Sequence, residues 1–446
     1  MTREQFIRAL LSAAENVGIG EAEVYCLENE SMQMLLGKGE IAQYSVNTTG
    51  GASLRGLVNG KMGTAYTEAM DDAAVAMLVT NVLQSAELIE DEDKQFLYDK
   101  IDIYHAVDCT GDLGAPDKRI AFALHMERIG RELDPRVSEF SNFSQFGSTH
   151  ISKRLVNSHG LDLTHTQDWC YAYLEAIARG NGEQVATAGA IEGGRSLSDL
   201  SAERIAEKSV CEAISRLSAA PIPSGDRAVI LRNDAMGNLL DTFSGVFSAE
   251  AAQKGLSLLA GKEGELIASQ CVTLTDDPLM NGGIATSPFD DEGVATFTKN
   301  IVESGLLTTL LHNLKTANKA GVRSTGNASR GGISAPVTVS ASNFYIRPGE
   351  PDLLQLETQM RNGLVITELE GLHAGTDSIS GDFSLLCRGY VVSEGLRGGA
   401  VERVTVAGNF FSLLKDIIAV GSDLVFEMSN VGSPSVLVTK LSIAGD

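Results

Sequence analysis

Two prolines separated by one residue, Pro221-Ile222-Pro223, stand at the middle of the chain and interrupt any regular element there. Each ring fixes φ and removes a backbone donor, and the residue before each is pushed to extended geometry. With Ala219, Ala220, Ser224 and Gly225 around them, the stretch reads as a linker. The chain has 446 residues, more than one hydrophobic core usually serves. Two domains are therefore expected, residues 1–222 and 223–446.

The first half alternates helical and strand-like patterns. Thr2 and Gln5 fit a capping box, after which Phe6, Ile7, Leu10, Leu11, Ala14 and Val17 form one stripe and Gly18 can end the helix. Val58-Asn59-Gly60-Lys61 predicts a type I′ hairpin, because Asn and Gly tolerate positive φ. Helices are predicted over 71–90, from Pro116 to Leu133, and from Ser198 to Leu217, with short strands between Val137 and Gly189. The second half is Gly-rich and strand-like, with helices predicted from Pro351 through Met360 and from Asn409 to Val420. The expected class is α+β: an α/β N-terminal half with a mixed sheet and helices, then a β-rich C-terminal half.

Lys and Arg number 35 against 58 Asp and Glu, a formal charge of -23. That field repels phosphate backbones, so no nucleic acid is expected as a partner. The acidity serves solubility or selects basic and neutral peptides. No apolar stretch reaches bilayer length, and Met1-Thr2-Arg3-Glu4-Gln5 has no secretory character. The reading is cytoplasmic, with no membrane partner. The six cysteines lack C-x-x-C pairing and read as buried reduced thiols.

Several linked blocks in the second half carry more information. They are Lys254-Gly255-Leu256-Ser257, Gly261 to Ser269, Val272 to Pro278, Pro288-Phe289-Asp290-Asp291-Glu292-Gly293, and Ile301 to Leu307. Ser324-Thr325-Gly326-Asn327-Ala328-Ser329-Arg330, Asn343 to Gly349, Gly371-Leu372-His373-Ala374-Gly375, Ser380-Gly381-Asp382-Phe383-Ser384 and Val404 to Asn409 follow. Ser53-Leu54-Arg55-Gly56 and Val156 to Gly160 fit more loosely. In this order and spacing the chain resembles the TldD/PmbA family over nearly its whole length, on the TldE/PmbA side. The resemblance implies a heterodimer with a TldD-like zinc peptidase subunit that degrades unstructured peptides. It also brings roles in microcin maturation and antitoxin turnover, and an older name, modulator of DNA gyrase.

TldD-like members carry H-E-x-x-x-H on a helix and a Cys near the C-terminus, as zinc ligands and general base. At the matching positions this chain has Asp241, Thr242 and Val246, and Ser429 to Ser435 contains no Cys. No His-Glu dipeptide occurs in the sequence. We therefore expect no catalytic residue, no metal and no cofactor. The Asp290-Asp291-Glu292-Gly293 cluster reads as a turn whose carboxylates accept backbone hydrogen bonds, with cation binding as the alternative. Asn327, Arg330, His373 and Asp382 are candidate peptide contacts. Arg330 can hold a carboxylate bidentately, either a peptide C-terminus or an acid of this chain. His373 and Asp382 either line a cleft or are structural. The functional expectation is a non-catalytic subunit of a zinc metallopeptidase, able to form a homodimer when isolated. The alternatives are a stand-alone protein acting on DNA gyrase or a toxin–antitoxin pair, and an independent metal-dependent hydrolase.

Overall fold

Thr2 N donates to Gln5 Oε1 at 2.9 Å and Gln5 N donates to Thr2 Oγ1 at 3.2 Å, closing the capping box ahead of helix α1 (Arg3–Asn16). The computed structural model describes residues 1–90, 93–100 and 102–446. Gly18 follows α1 at φ 90°. Helix α2 (Asp72–Glu87) is capped by the Asp71 carboxylate, and α3 (Pro116–Leu133) begins on its proline, where a first-turn N–H is not needed. Ser201 caps α4 (Ala202–Ser215).

Seven strands of the first half form one sheet. They are β1 (Glu21–Gly37), β2 (Glu40–Val58), β3 (Lys61–Thr67), β4 (Val137–Phe140), β5 (Gln145–Asn157), β6 (Asp162–Arg179) and β7 (Val185–Gly194). The order is β3-β2-β1-β5-β6-β4, with β7 also on β6. Every ladder in this sheet is antiparallel. The mixed pairing expected for the first half occurs instead in the second, and β5 and β6 are long where short strands were expected. Asn59 and Gly60 take φ of 50° and 82° at the β2–β3 turn, with Val58 paired to Lys61, as a type I′ hairpin requires.

Side chains alternate across a strand, and this decides where everything else packs. On β1, Ala22, Val24 and Cys26 pack with α1 and α2, and Met32, Met34 and Leu36 pack with the α3 and α4 side of the core. These six share one parity, so all four helices cover one face. Glu23 and Tyr25 have the other parity. They are aligned with Arg55 and Ser53 of β2, and Tyr25 also with Leu155 of β5. That second face is covered by the C-terminal half.

The linker passes along the second half: Ala220 N donates to Ala400 O at 3.1 Å, and Glu402 N donates to Ala220 O at 3.3 Å. Strand β8 (Gly225–Leu231) then enters a six-stranded sheet, parallel to Gly363–Glu370 and antiparallel to Val436–Ala444. A five-stranded sheet built around Leu274–Asp276 and Phe344–Ile346 lies across the same core. Helix α5 (Asn233–Phe243) buries Met236, Leu239, Leu240 and Phe243 there, and Phe243 stacks on Phe410 at 4.6 Å. Helix takes 25% and strand 38%, split among separate helical and mixed-sheet layers, which makes the class α+β.

Two predicted helices are corrected. Only Phe410–Asp416 is helical, and Ile417–Val420 is a strand on Val436–Ala444, because its β-branched residues suit a sheet. The helix predicted from Pro351 spans Leu353–Met360; Asp352 is its N-cap, and Pro351 stands outside. Cys26, Cys109, Cys170 and Cys387 are buried free thiols, whereas Cys211 and Cys271 are exposed. No helix among the described residues is long and apolar enough to cross a membrane.

Candidate functional site

A cleft of about 840 Å³ opens where the β2–β3 end of the first sheet meets the second half. Its floor holds Ser53, Arg55, Glu292 and Arg330. One wall comes from β3 through Met62, Thr64 and Tyr66. The other comes from helices α6 (Ala249–Gln253) and α7 (Leu314–Ala320) and from the Ile333–Thr338 loop. Such a volume suits a segment of peptide or a small ligand.

The floor is an ionic network built from both halves. Arg55 Nε donates to Glu23 Oε1 at 2.9 Å and Arg55 Nη1 to Glu292 Oε1 at 3.3 Å. Arg330 Nη2 donates to the same Glu23 oxygen and to Asp291 O, the latter at 3.0 Å. The Arg330 guanidinium lies 4.6 Å over the Tyr25 ring, a favourable cation–π contact. Burial alone would raise the Glu23 carboxyl, but Arg55 and Arg330 together hold it below its ordinary value. Arg55 Nη2 and Arg330 Nε are buried without a hydrogen-bond partner.

The acidic cluster serves this junction. Asp290 accepts the N–H groups of Glu292, Val294 and Ala328 at 2.9 to 3.0 Å. Asp291 accepts Lys153 Nζ at 2.9 Å and Arg330 N at 2.8 Å. Glu292 Oε2 accepts Leu314 N at 2.8 Å, at the start of α7. These carboxylates hold loops and cations of the chain itself, as the turn reading expects. Burial, and then the Glu292 charge, raise the Asp290 carboxyl.

The structure separates the four candidate contact residues. Arg330 lines the cleft. Asn327 is buried, with Nδ2 donating to Asp276 Oδ2 at 2.9 Å and Ser340 O at 3.0 Å, and Oδ1 accepting Thr325 Oγ1 at 2.8 Å. Its amide is occupied in shaping the loop. His373 is exposed on the segment joining two strands of the six-stranded sheet, Asp382 is exposed at the first position of the second of them, and neither is among the cleft residues. Asp382 accepts Asn409 Nδ2 at 2.9 Å and Ser380 Oγ at 3.0 Å, and these bonds hold its carboxyl below the usual range. Glu23 carries little signal in the sequence. Its only signal is a charge between two apolar residues of a strand, which ordinarily marks a solvated face.

Three consecutive stretches match models of the PmbA/TldA metallopeptidase: domain 1 over residues 22–86, the central domain over 115–217 and the C-terminal domain over 224–445. The chain belongs to the PmbA/TldD metallopeptidase family. Metalloprotease PmbA of Escherichia coli O157:H7 is 28% identical over 457 residues, covering 99% of this chain and 96% of that protein. A Thermotoga maritima protein, named as a candidate modulator of a DNA gyrase, is 33% identical, with a TM-score of 0.92 over 99% of this chain and 100% of its own. TldE from Thermococcus kodakarensis has the same fold, with a TM-score of 0.89 at 23% identity over 99% and 100% of the two chains.

Membership of the PmbA/TldD family raises the question of a metal, and the residues at the motif positions do not fit one. Asp241 is exposed, Thr242 turns its hydroxyl to Asn238 O at 2.8 Å, and Val246 is buried in the core. Helix α5 still lies against the C-terminal stretch: a Cβ at Gly237 would meet Ser433 N at 3.7 Å. The elements that would bring ligands together are adjacent, but the motif positions carry one exposed Asp, a Thr and a buried Val, and the facing stretch carries Gly and Ser. Zinc requires imidazole, thiolate or carboxylate donors at tetrahedral spacing. Among the described residues, no three of His, Cys, Asp and Glu form a group that could hold a metal ion.

Proposed function

We propose that this chain is the non-catalytic subunit of a heterodimeric PmbA/TldD-type metallopeptidase. It holds extended, unstructured peptides while a zinc-bearing TldD-like subunit cuts them. The carrying observation is the combination at α5 and the turn after it: the family fold persists around Asp241, Thr242 and Val246, but no donor set for a metal remains among the described residues. A chain so built supplies surface and shape, and the nucleophilic water must come from a partner.

Two features support the peptide role. The inter-half cleft has the size of a ligand site. Strand β3 pairs with β2 only from Ala52 to Val58, so among the described residues Glu40–Gly50 keeps an open edge that is mostly exposed. An extended peptide added to such an edge gains main-chain hydrogen bonds with little demand on sequence. Isolated, the chain pairs with itself through the surface otherwise given to its partner.

The name of the Thermotoga maritima relative favours a second reading, a stand-alone binding protein acting on gyrase. Affinity capture from the native organism separates the two. Recovery of a family member carrying H-E-x-x-x-H supports the subunit, and recovery of gyrase without it supports the second reading.

A further inference from the structure

An edge strand ordinarily carries charges, prolines or bulges that keep other strands away. The open edge of β2 has little of this. In a chain of formal charge -23, no Asp, Glu, Lys, Arg or Pro occurs from Ile41 to Leu54. One irregularity lies at Ala42, where the register on β1 slips, and from Gln43 to Gly50 the ladder is regular. Among the described residues, β2 pairs with β1 and, only from Ala52 onward, with β3. Every residue from Ala42 to Thr49 is exposed, so neither face of this stretch is covered.

Two apolar side chains stand on it. Tyr44 is 45% and Val46 63% exposed, and they share one face, beside the buried Met34 and Met32 of β1. The apolar layer of the sheet therefore runs out to its rim and is left open there. The open span has two fixed ends. At Gly51 a Cβ would lie 2.3 Å from Thr67 O, and at the other end Lys38 and Gly39 turn the chain at φ of 56° and 83°. Between them Glu40–Gly50 is free, and its middle residue is Ser45.

We infer that a second copy of this chain pairs with this edge, antiparallel, about a twofold axis at Ser45. The self-pairing proposed above, on which this rests, thereby gains its surface and its register. The axis sets Tyr44 opposite the partner's Val46, Val46 opposite the partner's Tyr44, and Gln43 opposite the partner's Asn47. Aromatic and β-branched residues form favourable cross-strand pairs, and a twofold contact uses the same patch on both copies. Charge points to the same place. Two chains of -23 repel one another, but along this edge no like charges stand opposite; Glu28 and Glu30 are one strand inward, on β1. An edge holds one strand at a time, so self-pairing closes it to a peptide until the copies part.

The test follows the mass of the full chain by sedimentation velocity at micromolar concentration, where the parent is expected to be a dimer. Tyr44→Lys with Val46→Lys, and separately Tyr44→Glu with Val46→Glu, set like charges opposite one another. Each is expected to weaken the dimer by about tenfold or more. Mixing the two variants is expected to recover it, which misfolded chains would not do. Ser45→Cys faces itself across the axis and is expected to cross-link on oxidation where the parent does not; this decides if the charged variants do not fold. Unchanged dimers in both charged variants overturn the edge and leave self-pairing in place elsewhere. No recovery on mixing, or no cross-link from position 45, overturns the register. A parent that stays monomeric overturns self-pairing altogether, and if the charged variants then lose binding of a labelled unstructured peptide, the edge belongs to the peptide. The subunit role is decided separately, by mixing with a TldD-like partner.

Discussion

Arg330 and Glu23 lie 307 residues apart in the sequence and meet in one buried ion pair between the two halves of the chain. Glu23 is wholly buried and the Arg330 side chain is 2% exposed. Desolvation of such a pair offsets much of its attraction, so its intact contribution is modest. Removing one member is a different matter, because the other remains buried.

Arg330→Met is therefore expected to destabilise the protein by about 3–5 kcal/mol. Arg55 stays beside Glu23 and places the effect toward the lower end. Urea denaturation of the variant against the parent measures it, and a loss below about 1 kcal/mol contradicts a structural role for the pair. Arg330→Met combined with Glu23→Gln should cost less than the two single losses added together, since the two side chains share one interaction.

Acid should weaken the fold through His165. This residue is buried on β6, edge-on to Phe289 at 6.2 Å, with no partner for Nε2. Burial, and then Lys153, push its pKa down from 6.5 to about 4. Between those values the unfolded chain binds a proton that the folded chain refuses. Stability from this group is complete above about pH 6.5 and is lost as pH falls toward 4. The loss is on the order of 3 kcal/mol. Thermal melts of His165→Gln across this range should show a flatter pH dependence than the parent. An unchanged slope excludes His165 as the cause.

Much of the local structure was legible because it depends on neighbours in sequence. The Thr2–Gln5 capping box, the Asn59-Gly60 turn and Pro116 at the head of α3 each place a special residue where the backbone needs it. The stretch from Asn409 to Val420 looks helical throughout because Phe410, Leu413, Leu414 and Ile417 keep a helical spacing into the strand, and tertiary pairing with Val436–Ala444 decides the ending. The site was less legible than the fold. Arg330 and the Asp290 cluster stand out as charges among small residues, but Glu23 and Arg55 look like the polar face of an amphipathic strand. Only the packing of the second half onto that face makes them a buried floor.

Restoring the motif residues alone should not restore a metal site. Asp241→His, Thr242→Glu and Val246→His would place one side chain in solvent and another in the core. No cysteine stands in the adjoining 429–435 stretch. The triple variant is expected to hold well under one zinc per chain after dialysis, and to lose about 2–4 kcal/mol of stability from the polar group at position 246. Elemental analysis and denaturant melts measure the two effects. Stoichiometric zinc in a stable variant would show that this helix retains a working ligand geometry.

If this chain contributes to proteolysis through a partner, the two subunits associate and act only together. The direct measurement is to mix it with a TldD-like family member bearing H-E-x-x-x-H, then follow mass by light scattering and hydrolysis of an unstructured peptide together. A one-to-one complex burying on the order of 2,000 Å² or more is expected, with hydrolysis that requires both chains and no cutting by this chain alone. A partner fully active by itself, eluting apart from this chain at micromolar concentration, would rule out the subunit role.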